Sequence, residues 1–221
     1  MRAPRAAGLR PLLLATGLLA AGFVVFTVLV SLHSTDRLDH GVANLLADAW
    51  VPASLLLWQA IAFLGGIELT TLVAVAVFVY LWRSGYRWAS AAALAFPVGV
   101  LLETLYKRTL SHPQPAGHGD APSIASLFPL EFTSSFPSGH VTRAVIVYGL
   151  LAFTVARLTP RPSLRRLALP LAVFLLAVVA FDRLYLEVHW ESDVVGGLLL
   201  GGTLLAGAIT WMEWTARTAR D

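Results

Sequence analysis

Apolar positions in this chain gather into long runs, neither alternating as in strands nor confined to narrow helical stripes. Mainly apolar runs cover Pro11–Leu32, Ile67–Trp82, Trp88–Tyr106, Val141–Leu158, Leu167–Val188 and Val194–Trp214. An α-helix rises 1.5 Å per residue and a bilayer hydrocarbon core is about 30 Å thick, so about 20 such residues span it. Six spanning helices are predicted. The stretch Gly41–Gly66 differs, because it carries Asp48, Pro52 and Gln59 and its cleanest apolar piece, Leu55–Leu64, is too short to span. An interfacial helix fits it better. The fold class expected is all-α integral membrane, six transmembrane helices plus an interfacial helix, in one domain over residues 1–221.

Composition agrees. The 221 residues are 57% hydrophobic and 13% charged, against about 25% charged in soluble domains. Mean hydropathy is +0.72, and a soluble fold of this length could not hide that much apolar surface. There is no cysteine, which excludes disulfides and thiolate metal sites. The net charge of +3 is small, and its placement says more. With the N-terminus cytoplasmic, the cytoplasmic segments hold Arg2, Arg5, Arg10, Arg83, Arg87, Arg157, Arg161, Arg165, Arg166, Arg217 and Arg220, eleven of the sixteen basic residues. That is the asymmetry of the positive-inside rule. A seventh span at Gly41–Gly66 would place the later arginines outside. Arg2, Arg5 and Arg10 ahead of Pro11–Leu32 follow the order of a signal peptide, whose apolar region runs about 7–15 residues. This run is longer and lacks a clear cleavage site, so an uncleaved span is expected.

The polar residues inside the runs share a depth. Measured from the cytoplasmic ends, Lys107 lies roughly 29 Å up its helix, His140 roughly 26 Å and Arg183 roughly 24 Å. His189 and Asp193 follow at the next helix junction. One charged residue at that level is ordinary snorkelling. Lys107, His140, Arg143, Asp182, Arg183, Glu187, His189 and Asp193 together point to a site near the outer membrane surface, because intramembrane charge is costly and marks function.

The residue types suit phosphate chemistry. Lys107 and Arg183 bring fixed positive charge, and arginine holds two phosphate oxygens at once. Phe136-Pro137-Ser138-Gly139-His140 opens a helix, where Ser138 and free backbone N–H groups face an anion and Gly139 lets backbone approach closely. His189 and Asp193 are four apart and share a face. The carboxylate behind the imidazole fixes its tautomer, leaving His189 as nucleophile and His140 as general acid. Two histidines and an aspartate are also a metal-ligand set, but the neighbouring Lys107 and Arg183 favour an anion.

Lys107…Pro115, Pro137-Ser138-Gly139-His140 and Arg183-x5-His189-x3-Asp193 together resemble the signature of the type-2 phosphatidic acid phosphatase superfamily. The resemblance runs from about Lys107 to Gly197. It implies a metal-independent lipid phosphatase without cofactor, in which His189 attacks phosphorus and His140 protonates the leaving group. The chain departs from the signature at Gln114, where the family has arginine. Glutamine donates a hydrogen bond but brings no charge, and Arg143, on the face of His140, is placed to compensate. Asp182 and Glu187 add negative charge where the family has serine and a small residue. The expected substrate-binding set is Lys107, Gln114, Ser138, Gly139, Arg143 and Arg183.

Other residues have structural readings. Glu103, one turn below Lys107, forms an ion pair with it. Pro97 kinks its span, and Gly197, Gly201 and Gly202 allow close helix packing. Arg108 points elsewhere. His33, His40 and His118 face solvent, and His112 is near enough to Gln114 to touch substrate. The loop Ser111–Phe136 is long, as functional loops often are. The expected partners are a lipid phosphate and membrane lipids, with no nucleic acid. Candidate substrates are polyprenyl pyrophosphate or monophosphate, phosphatidate and phosphatidylglycerol phosphate. Alternatives are lipid-to-acceptor phosphotransfer and a non-catalytic lipid-phosphate binder or transporter. The arginine- and alanine-rich style suggests a bacterial cytoplasmic membrane, with both termini cytoplasmic and the site facing outward.

Overall fold

The computed structural model describes residues 8–119 and 133–218. Arg2, Arg5, Arg220 and the middle of the Ser111–Phe136 loop lie outside the described residues. The helices are α1 (Leu9–Ser31), α2 (Asp36–Asp48), α3 (Leu55–Ala62), α4 (Ile67–Arg83), α5 (Arg87–Ser90), α6 (Ala95–Thr109), α7 (Gly139–Leu158), α8 (Pro162–Tyr185) and α9 (Glu191–Thr218). Six stretches are long and apolar enough to cross a membrane: Leu9–Ser31, Pro52–Arg83, Arg87–Thr109, Gly139–Leu158, Pro162–Tyr185 and Glu191–Thr218.

The six expected spans are all helical, and two differ in detail. Gly41–Gly66 is not one interfacial helix. It divides into α2 and α3, and α3 runs on into the α4 span through a break at residues 63–66. Gly65 and Gly66 weaken helix there, and Gly66 turns extended, with ψ 153°, to start α4. In the third span the irregularity falls just before Pro97, as a 3-10 stretch at Ala91–Leu94 between α5 and α6. Pro97 has no N–H for the carbonyl of Ala93, and its ring crowds that carbonyl.

Helix α7 is the hub, packing on α4, α6, α8 and α9. Its span is 61% buried, against 11% for α1. Val141, Ala144, Ile146 and Val147 form its core face with Val179 of α8 and Val194 of α9. A Cβ on Gly197 or Gly201 would stand 2.8 Å from the carbonyl oxygen of Ser138 or Thr142. These glycines therefore let α9 rest directly on the α7 backbone, as expected. Outward positions such as Leu14, Leu18, Leu167, Leu169 and Phe174 are apolar and exposed, the inverse of a soluble surface and suited to lipid contact. α2 and α3 pack across the end of α8 that carries Arg183.

Candidate active site

Four helix ends and one connection meet at the same end of the bundle. Lys107 is in the last turn of α6, Ser138 caps α7, His140 is in its first turn, Arg183 ends α8, His189 lies in the connection, and Asp193 is in the first turn of α9. Backbone bonds join these segments. Ser138 N–H donates to the Asp193 carbonyl at 2.9 Å, Thr133 N–H to Lys107 at 3.1 Å and Ser135 N–H to His112 at 2.9 Å.

Charge is paired locally. Glu103 Oε1 takes Lys107 Nζ at 3.0 Å, the predicted ion pair, and Glu103 Oε2 takes Arg143 Nη1 at 2.8 Å. Arg143 Nε also donates to the Gly65 carbonyl at 3.3 Å. One carboxylate shared by two cations leaves α6 and α7 a positive surplus. Gly139 is pressed against this knot, since a Cβ there would sit 1.9 Å from Glu103 Oε1. Arg183 is wholly buried and its Nε donates to Asp182 Oδ2 at 2.8 Å. His140 lies within electrostatic reach of Arg183, Arg143, His189 and Lys107.

His189 Nδ1 lies 3.0 Å from Asp193 Oδ2, which also accepts the Trp190 N–H at 2.9 Å. With Nδ1–H donated to the carboxylate, the Nε2 lone pair is left to react. Burial holds the His189 imidazole below its ordinary pKa; its bond to Asp193 and that carboxylate's charge oppose this, while Lys107 and Arg183 reinforce it. Ser138 Oγ is fully buried and has no hydrogen-bond partner among the described residues. A buried hydroxyl without a partner costs about 1–3 kcal/mol, which an incoming oxyanion would recover.

A second layer stands behind Asp193. His112 is 4% exposed, with Nε2 3.5 Å from Asp193 Oδ1 and 3.2 Å from Ser192 Oγ. Ser192 donates its N–H and its hydroxyl to the two oxygens of buried Asp39 on α2, at 2.8 and 2.9 Å.

The PAP2 superfamily matches residues 91–217. The chain belongs to that superfamily. A decaprenylphosphoryl-5-phosphoribose phosphatase of Mycobacterium tuberculosis is 32% identical over 152 residues, which is 69% of this chain and 68% of that one. Phosphatidylglycerophosphatase B of Bacillus subtilis is 38% identical over 72 residues, covering 32% of this chain and 36% of that one. The crystal structure of a transmembrane PAP2-type phosphatidylglycerolphosphate phosphatase from Bacillus subtilis superposes with a TM-score of 0.73 at 21% identity. It covers 88% of this chain and 94% of that one, so the fold is the PAP2 membrane fold.

The structure brings Lys107, Ser138, Gly139, His140, Arg143, Arg183, His189 and Asp193 to one end of the bundle. Gln114 is exposed in the loop, while its neighbour Pro113 accepts the Trp190 indole N–H at 2.7 Å. Arg143 is not a free substitute for the missing arginine, because Glu103 and the Gly65 carbonyl engage it. Asp182 holds Arg183, and Glu187 pairs with His118 at 3.7 Å. His33 and His40 are exposed as expected. His118 is not solvent-facing but stacks on Trp50 at 3.7 Å between ring centres. His112 turns to Asp193 and Ser192. Asp39 and Ser192 escaped the sequence reading, since a lone aspartate in an amphipathic helix and a serine beside a motif residue carry no signal of their own.

Proposed function

We propose that this chain is a membrane phosphatase that removes phosphate from a lipid phosphate through a phosphohistidine on His189. The observation that carries the reading is the His189–Asp193 pair at 3.0 Å, beside a buried, unpartnered Ser138 hydroxyl and the cations Lys107 and Arg183. Lys107, Arg183, Ser138 and the first N–H groups of α7 hold the phosphoryl oxygens. His189 Nε2 attacks phosphorus as the ester P–O bond breaks, and the leaving oxygen takes a proton from His140. Water then attacks phosphorus as the N–P bond breaks, His140 takes a proton from that water, and inorganic phosphate leaves with His189 restored. Asp193 stabilises the imidazolium character of His189 during both transfers. No metal enters these steps.

The named activities of the mycobacterial and Bacillus relatives support a phosphomonoester on a polyprenyl or glycerol lipid as substrate. A site at headgroup depth on the outer face of a bacterial membrane suits a substrate whose tail stays in the bilayer. The test is phosphate release in detergent, with EDTA present, from polyprenyl phosphate, polyprenyl pyrophosphate, a polyprenyl-linked sugar phosphate, phosphatidate and phosphatidylglycerol phosphate. Release that persists in EDTA and disappears in His189→Ala is expected, with an acid-labile phosphoenzyme trapped in the wild type. Undiminished turnover by His189→Ala would remove the mechanism.

A further inference from the structure

Asp39 of α2 lies outside the motifs of the phosphatase reading, yet it is 2% exposed and reaches the first turn of α9. Both of its oxygens are engaged: Oδ1 accepts the Ser192 N–H at 2.8 Å and Oδ2 the Ser192 hydroxyl at 2.9 Å. The first N–H groups of a helix have no partner within it, so the first of these bonds caps α9 from another helix. The second fixes a direction.

A serine hydroxyl has one proton, and a carboxylate only accepts. The Ser192 proton therefore points to Asp39, and the Ser192 oxygen is left to accept. His112 Nε2 lies 3.2 Å from that oxygen and bonds to it only by donating. The same nitrogen stands 3.5 Å from Asp193 Oδ1. Asp39 thus holds the His112 proton on Nε2 and turns an N–H, not a lone pair, towards the carboxylate behind His189. His112 is braced for this. Ser135 N–H donates to its carbonyl at 2.9 Å, and Phe136 meets its ring edge-on. The other oxygen of Asp193 is already engaged, by His189 Nδ1 at 3.0 Å and the Trp190 N–H at 2.9 Å. A lone pair turned towards Oδ1 would repel the carboxylate and loosen that arrangement.

We propose that Asp39 is a positioning residue of this active site: through the Ser192 hydroxyl it sets the tautomer of His112 and thereby the orientation of Asp193. The proposal rests on the reading in which Asp193 serves His189, and extends that machinery to α2.

The experiment turns on Asp39→Asn, which keeps the shape of the side chain. Asparagine caps helices about as well as aspartate, so its carbonyl retains the Ser192 N–H. Its amide N–H then donates to the Ser192 oxygen, and the hydroxyl proton turns to His112. The imidazole must accept, and its own proton moves to Nδ1. In the full chain in detergent, with isotope-labelled histidine, nitrogen chemical shifts report the tautomer, and the His112 signals are assigned by their loss in His112→Phe. Wild type should carry the proton on Nε2 and Asp39→Asn on Nδ1. With a lipid phosphate that the wild type hydrolyses, Asp39→Asn should lower kcat about tenfold with KM little changed. In a Ser192→Ala background the same substitution should change kcat by less than about twofold, because the group it acts through is gone. A carboxylate that only caps α9 predicts wild-type kcat and an unmoved proton in Asp39→Asn. Either result overturns the proposal, as does an equal loss of kcat with and without the Ser192 hydroxyl. If Asp39→Asn does not fold, Ser192→Ala alone decides: a fall in kcat is expected, and an unchanged kcat overturns the proposal. The histidine spectra need no substrate, so they test the link from Asp39 to His112 even where His189→Ala keeps its turnover and the phosphohistidine mechanism fails.

Discussion

Glu103 shows how single residues set the chemistry around them. It bonds Lys107 at 3.0 Å and Arg143 at 2.8 Å, so it aims one cation without removing the local excess of positive charge. The same logic governs His189. Burial, Lys107 and Arg183 disfavour its protonated form, and Asp193 favours it. By NMR of labelled histidine, His189 should titrate below the ordinary value of about 6.5. Lys107→Met should move its midpoint up and Asp193→Asn should move it down. His112 makes a further residue-scale prediction, as a positioning residue acting through Asp193. His112→Phe removes the imidazole that stands 3.5 Å from Asp193 Oδ1, so kcat should fall, by about tenfold for a change of about 1.4 kcal/mol, with KM little changed. His112→Gln should restore part of kcat, and equal rates in all three proteins would remove this role. The residues proposed for catalysis could be picked out in the sequence because each carries its chemistry in its type and spacing. The direction of His112 was not, because only the fold brings residue 112 to residue 193.

At the scale of elements, the junction of α6 with α7 is the tightest part of the site. Gly139 begins α7 against the Glu103 carboxylate, and any Cβ must displace it. Gly139→Ala should therefore destabilise the fold by the order of 1–3 kcal/mol for overpacking, lowering the thermal midpoint, and reduce turnover by disturbing Lys107. Thermal unfolding monitored in detergent checks the first effect, and a midpoint equal to wild type would refute it. The spanning helices were readable from apolar run length alone, because hydrocarbon thickness sets that length. The α2–α3 region was less so. Its polar residues marked it as different, but Asp39 faces inward to Ser192, and a pairing across 153 residues leaves no local pattern. Packing also demands glycine at 65, where a Cβ would stand 2.9 Å from His140 Cβ.

For the whole molecule, the placement of arginines predicts its orientation. Because the chain has no cysteine, single introduced thiols report sidedness cleanly. Ser84 and Ser111 are both exposed, at opposite ends of the bundle. In intact cells a membrane-impermeant maleimide should label Ser111→Cys and spare Ser84→Cys until the membrane is opened. The reverse pattern would turn the molecule over.

The charge pairs have a further consequence for how such a chain enters a membrane during synthesis. Arg143 finds Glu103 on a helix made before it, Glu213 finds Arg157 on one made before it, and Arg183 finds Asp182 beside it. Lys107 and Glu103 share one helix. Emerging from the ribosome in order, Arg143, Arg183 and Glu213 each meet a counter-charge already made, and none waits in the bilayer for a helix still to come.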